Sequence, residues 1–170
     1  FLEYGAEGFT AAVGLIDATG FLDGSHVAND EAGQFINGSL VNNPSIEFPD
    51  YTLGGVMSFD GAGLRPSVTV LVGGSSGLDA TSTDESNQGV YGIVDGTASG
   101  FAWNLRAGVA DASVSPVAWF AGAAVEHELM TDLTGGLGVT HTAASDDLGV
   151  GFSDSTQGEV YLRYNVSENV

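Results

Sequence analysis

Apolar and polar positions alternate with a period of two through most of the chain. From Phe9 to Asp17 the sequence reads FTAAVGLID, with Phe9, Ala11, Val13 and Leu15 set against Thr10, Ala12 and Gly14. Such alternation predicts a strand with two unlike faces. Tyr51–Phe59 repeats it, DGAG at Asp60–Gly63 signals a turn, and Arg65–Gly73 predicts the partner strand of a hairpin. A shorter strand is expected over Gly89–Val94, closed by a tight turn at Asp95–Thr97. In Phe101–Ala107, Phe101, Trp103, Leu105 and Ala107 oppose Ala102, Asn104 and Arg106. The run VAWFAGAAVEHEL after Pro116 alternates Trp119, Ala121, Ala123 and Val125 against Phe120, Gly122 and Ala124. A turn around Asp132 leads to a strand over Leu133–His141. The last strand is expected over Gly158–Val166, with Val160, Leu162, Tyr164 and Val166 opposite Glu159, Tyr161, Arg163 and Asn165.

About eight strands result, joined alternately by short turns and longer polar loops. Outer-membrane barrels show this arrangement, with apolar residues outward and polar residues inward over segments of about ten residues. A soluble β-sandwich also alternates, with its apolar face turned inward. Phe9, Tyr51, Phe59, Phe101, Trp103, Trp119, Phe120 and Tyr164 fall near strand ends, where a bilayer interface favours aromatic rings. The expected fold is therefore all-β: an antiparallel, up-and-down transmembrane β-barrel, or part of a larger one, occupying 1–170 as a single domain.

One stretch breaks the alternation. Thr19–Tyr51 has neither helical nor strand periodicity, yet it contains Phe21, Phe35, Phe48 and Tyr51 as candidate buried anchors. Asp23, Asp30, Glu31, Asn42, Asn43 and Asp50 supply local partners for backbone groups. A long connection with such anchors predicts an ordered, functional loop.

Composition sharpens this picture. Gly makes up 26 of 170 residues, which suits turns and close strand packing and disfavours helices. Three Lys plus Arg against 22 Asp plus Glu leave a formal charge of -19, which excludes nucleic acid as a partner. With no cysteine, disulfides and thiolate metal sites are excluded. Phe1–Gly14 has no basic or apolar signal-peptide region. No apolar run approaches the roughly 20 residues of a spanning helix, so a membrane role requires a barrel.

Catalytic patterns are missing. GxSxG, GxGxxG and the phosphate loop do not occur, and GGSSG at Gly73–Gly77 reads as a turn. His26, His127 and His141 lack metal-ligand spacing, and alternation puts Glu126 and Glu128 on the face opposite His127. The acidic runs Asp79–Glu85 and Asp146–Asp154 lack the spaced ligands of a calcium loop. No enzyme activity, metal or cofactor is expected. Asn104, Arg106, Glu159, Tyr161 and Arg163 are the polar-face residues suited to a wet lumen, where planar polar groups and a ring can meet sugar hydroxyls. They read equally well as solvated strand residues.

The run TGFLDGSHVANDEAGQFINGSLVNNPSIEFPDYTLGG resembles a segment of the carbohydrate-selective outer-membrane porins of the OprB type. The resemblance is carried by Asp17, Phe21, Asp23, Ala28, Asn29, Asp30, Gln34, Phe35, Asn42, Asn43, Pro44, Phe48, Pro49, Asp50 and Tyr51. It implies passive diffusion of sugars or other small solutes, in contact with outer-membrane lipid of a Gram-negative-type cell. It also implies that the long loop packs at the channel, with Asp23, Asp30, Asn42, Asn43 and Asp50 holding its turns at a constriction. Barrels of this family resemble ones of about sixteen strands, more than this chain supplies, so about half a barrel is expected. A monomer and a homo-oligomer both fit. The rival readings are a secreted, acidic, soluble β-sandwich acting as a binding or structural module, and a small plugged barrel serving as an anchor.

Overall fold

The alternation is realised as one antiparallel sheet. The computed structural model describes residues 1–16, 25–28, 32–41, 52–74, 86–111, 115–146, 151 and 153–166. Its strands are β1 (Leu2–Ala6), β2 (Phe9–Ile16), β3 (Thr52–Phe59), β4 (Leu64–Gly74), β5 (Ser86–Ala98), β6 (Phe101–Ala110), β7 (Val117–Met130), β8 (Leu133–Ala144) and β9 (Ser155–Tyr164). Each pairs with its neighbours in sequence, giving the order β1 to β9 without a crossover. Among the described residues one short helix, α1 (Gly38–Val41), lies in the connection between β2 and β3.

Connections alternate in length as expected. After β1, β3, β5 and β7 the chain turns within a few residues, and after β2, β4, β6 and β8 it makes longer excursions. Three hairpins turn over two residues, and in one of them, Ser99–Gly100, both residues take left-handed backbone angles (φ 52° and 81°), which match the right-handed twist of the flanking strands. Thr131–Asp132 turns with φ 65° at Asp132, a residue type that tolerates this region.

Three expectations are corrected. There are nine strands among the described residues, not about eight. Five residues of alternation that include Gly5 and Ala6 carry too little pattern to announce β1, and pairing with β2 organises it. The turn expected at Asp95–Thr97 is instead strand: β5 runs on to Ala98, with Asp95 opposite Asn104 and Gly96 opposite Trp103. A Cβ at Gly96 would collide with the Trp103 indole, so this glycine makes room for a ring and breaks nothing. Phe120, grouped with the strand-end aromatics, points to the opposite face and is buried at Gly108.

The described residues form an open sheet, because β1 and β9 each pair on one side only. Nine antiparallel strands leave β1 and β9 running in the same direction, so a seam between them would be parallel.

The two faces differ sharply. One carries Val13, Leu15, Leu53, Met57, Phe59, Val90, Phe101, Leu105, Val109, Leu137, Val139, Val160 and Leu162, all exposed. We term it the bare face. The other, the covered face, holds small, polar and charged residues together with buried Ile16, Val56, Tyr91, Ile93 and Phe120, and it carries the described part of the β2–β3 connection. Val27, Ala28, Phe35 and Leu40 of that connection pack on Ala124 of β7, with Ala102 and Tyr161 at the margin, as one hydrophobic cluster.

Candidate functional site

All five strand residues expected to be polar-facing fall on the covered face. Register shows why: Arg106 pairs across to Gly122, Gly122 to Thr140, and Thr140 to Gln157, two residues before Glu159 on the same side of β9. Tyr161 and Arg163 continue the row, opposite Gly136 and Thr134. Asn104 sits opposite Asp95 on β5 and Ala124 on β7.

These side chains hold the connection. Glu159 accepts from two successive backbone amides, Ile36 N at 2.9 Å and Asn37 N at 2.8 Å, one on each carboxylate oxygen. Arg106 Nη2 donates to the Ser39 carbonyl at 2.7 Å, and Arg163 Nη1 donates to the Gly33 carbonyl at 2.9 Å. Arg163 also faces Glu126 at 3.6 Å, and the Tyr161 hydroxyl donates to the same carboxylate. Hydrogen bonds to ionised groups are the stronger kind, so these contacts anchor the connection as well as satisfy its backbone.

Farther along the sheet, Asp95 Oδ1 accepts from Ser25 Oγ at 2.9 Å and from Asn104 Nδ2 at 3.0 Å. Ser25 Oγ in turn accepts from Val27 N and Ala28 N, fixing the chain where it reaches the sheet. Asp95, Asn104 and Arg106 are all buried, an unusual depth for such groups; hydrogen bonds offset the cost at Asp95, Arg106 and the Asn104 amide nitrogen, while Asn104 Oδ1 has no partner among the described residues.

The connection shapes itself locally as well. Asn37 Oδ1 accepts from Ser39 N at 3.0 Å, an N-cap for the single turn of α1, while its amide donates to Gln157 at 2.7 Å. Gln34 Nε2 donates to the His26 carbonyl. Phe35, fully buried, meets Tyr161 edge-on with ring centroids 4.9 Å apart. Beneath it lies Gly138, where a Cβ would stand 2.9 Å from the Phe35 ring and 3.1 Å from Leu40. The glycine lets the aromatic seat directly on the sheet.

Sequence reading placed Asn104, Arg106, Glu159, Tyr161 and Arg163 correctly on one face, and Glu126 and Glu128 opposite His127 on that same face. Alternation does not announce Asp95, which reads as a turn residue, or the bonding roles of Ser25, Asn37 and Gln157. The signal for Asn37 was present in Asn-Gly-Ser, a helix-capping pattern. Asp23, Asp30, Asn42, Asn43 and Asp50 lie outside the described residues. Among the described residues no group of three or more acidic or histidine side chains could hold a metal ion.

On the bare face the strand ends near the short turns carry Tyr4, Phe9, Phe59, Phe101, Trp103 and Tyr164. Phe101 stacks on His127 at 4.2 Å between centroids. Toward the other end Trp119 lies beside His141 at 5.1 Å. No bare-face strand position among the described residues is Asp, Glu, Lys or Arg. The charged strand residues Glu3, Arg65, Asp95, Arg106, Glu126, Glu128, Glu159 and Arg163 all take covered-face register positions.

No protein-family model matches the chain, and no solved structure matches it. Over 47 residues it is 43% identical to an Aquifex aeolicus (strain VF5) protein described as uncharacterized, an alignment covering 28% of this chain and 15% of that protein. The chain thus spans a small part of the curated relative it matches.

Proposed function

We propose that this sheet is a wall segment of an outer-membrane β-barrel, porin-like, through which carbohydrates or other small polar solutes diffuse passively beside the inward-folded β2–β3 connection. One observation carries the reading: the sheet's charge-free apolar face is bare, while its charged face is the one covered by chain. A soluble sandwich would bury the apolar face against a second sheet. Leaving such side chains in water forgoes about 1.5–3 kcal/mol apiece, and only lipid removes that cost without another layer of protein.

Strand lengths agree. β4 to β9 have 10 to 14 residues, enough for a tilted strand to cross a bilayer, which takes about 9–11. The aromatic rings near the short-turn end of the bare face match an interfacial girdle. No helix of the described residues is long and apolar enough to cross a membrane.

The test is partition followed by conductance. The polypeptide, directed to the periplasm of a Gram-negative host, is expected to stay with membranes through an alkaline carbonate wash. It is then expected to raise the conductance of planar bilayers, with current reduced by added sugars. Release by carbonate would overturn the membrane reading. Retention without conductance would favour the second reading, a small plugged barrel acting as an anchor, for which the tight seating of Phe35 and Leu40 over Gly138 is the specific support.

A further inference from the structure

Among the described residues the bare face carries two histidines, toward opposite ends of its strands. His127 of β7 shares a row with Phe101 of β6 and Gly135 of β8, near the short turns. His141 of β8 lies beside Trp119, toward the longer connections. Between Trp119 and His127 the bare-face positions of β7 are Ala121, Ala123 and Val125, all apolar. At about 3.4 Å per residue that run is about 27 Å of strand, or roughly 20 Å of height at a tilt of about 40°, near the band of about 25 Å on an outer-membrane barrel. Phe101 with His127 and Trp119 with His141 mark its two edges.

The surroundings of His127 fix what its ring can do. Its Nδ1 lies 2.8 Å from the Gly100 carbonyl, which can only accept, so Nδ1 carries a proton. In the neutral ring Nε2 is then a lone pair, and only the imidazolium has an N–H there to donate. Nε2 makes no hydrogen bond among the described residues. The ring lies on Phe101 with centroids 4.2 Å apart and planes 19° apart, a placement in which the aromatic face favours a cation. The elements packed against it supply no charge: β6 meets it with Phe101, the β5–β6 turn with Gly100, and β8 with Gly135. Glu126 and Glu128 flank it in sequence but take covered-face positions, and Asp132 belongs to the β7–β8 turn.

We infer that protonated His127 donates from Nε2 to a phosphate oxygen of a phospholipid headgroup, and that the contact is lost when the ring is neutral. This rests on the reading of the bare face as lipid-facing. Charge complementarity carries it. The three arginines take covered-face positions, so among the described strand positions of the bare face only histidine can turn positive. A phosphodiester stays anionic throughout the range in which an imidazole titrates, and a hydrogen bond between two ionised groups is the strong kind. The edge of the apolar band is also the level at which headgroups begin.

The experiment is solid-state NMR of the full chain, with isotope-labelled histidine, in phosphatidylcholine vesicles. Dephasing of the His127 Nε2 signal by lipid phosphorus is expected to be several-fold stronger at about pH 5.5 than at about pH 8. The signal is assigned by its loss in His127→Gln and its persistence in His26→Gln and His141→Gln. Vesicles of a phosphorus-free galactolipid with added inorganic phosphate are expected to give no dephasing. Dephasing there would mean capture of free phosphate and would overturn the headgroup assignment. In protein that an alkaline carbonate wash does not release, no dephasing at either pH, or equal dephasing at both, would overturn the contact and leave the wall reading standing. Release by carbonate would overturn both.

Discussion

The two faces of this sheet come from the same strands, at adjacent residues, and still obey opposite rules. On the bare face Leu105, Leu137 and Val160 are exposed and no charge intrudes. On the covered face, one residue away, Arg106 and Asn104 are buried under a connection that they help to hold. In a soluble protein the apolar face is the one that acquires a cover. Here the Gly33 and Ser39 carbonyls and the Ile36 and Asn37 amides meet charged side chains of the sheet, and the hydrocarbon face is left bare. The contrast is the ground for the proposal that the bare face meets a less polar environment than the covered one.

The sharpest test of the covered face is Phe35→Ala. A fully buried ring is lost from the cluster of Val27, Ala28 and Leu40, with an expected cost of about 3–5 kcal/mol to docking of the connection. Hydrogen exchange at the Ile36 and Asn37 amides would read it, and unchanged protection would mean that the polar contacts alone hold the segment. The bare face is tested by Leu137→Arg, at mid-strand in β8. In a bilayer it is expected to cost about 2–4 kcal/mol, measured by denaturant unfolding from lipid vesicles. A cost within about 0.5 kcal/mol, usual for a surface position in water, would break the comparison.

Smaller effects separate residues on one face. Glu159→Gln keeps the shape but removes the charge from two amide contacts, with an expected loss of about 1–3 kcal/mol, visible as faster exchange at Ile36 and Asn37. Glu128→Gln, exposed and two residues along from Glu126, should change stability by less than about 0.5 kcal/mol in the same assay. If the two substitutions behaved alike, the covered-face carboxylates would be interchangeable surface charge and no latch would exist.

Most of the strands were legible because alternation is local. Trp119, Ala121 and Ala123 declare one side of β7 whatever they face. The misreading at Asp95–Thr97 has an equally physical cause. Asp-Gly-Thr is turn chemistry in isolation, and only Trp103, across the strand pair, explains why a glycine belongs inside β5. Phe120 shows the same limit: its strand was predicted, its face followed from alternation, and its burial depended on Gly108 and Tyr91 on neighbouring strands.

From the sequence alone came the all-β class, the antiparallel succession of strands, the split into two unlike faces, and the side to which Asn104, Arg106, Glu159, Tyr161 and Arg163 belong. A period of two and the turn residues between the runs suffice for that, since both act over a few residues. The tertiary structure decided that the long connection lies over the charged face, with Arg106 reaching Ser39 and Glu159 reaching Ile36 across separations of 67 and 123 residues. It also decided that Phe35 seats on Gly138, and that the apolar face is the one without a cover. Such pairings depend on the register of every intervening strand, and register is a property of the assembled sheet.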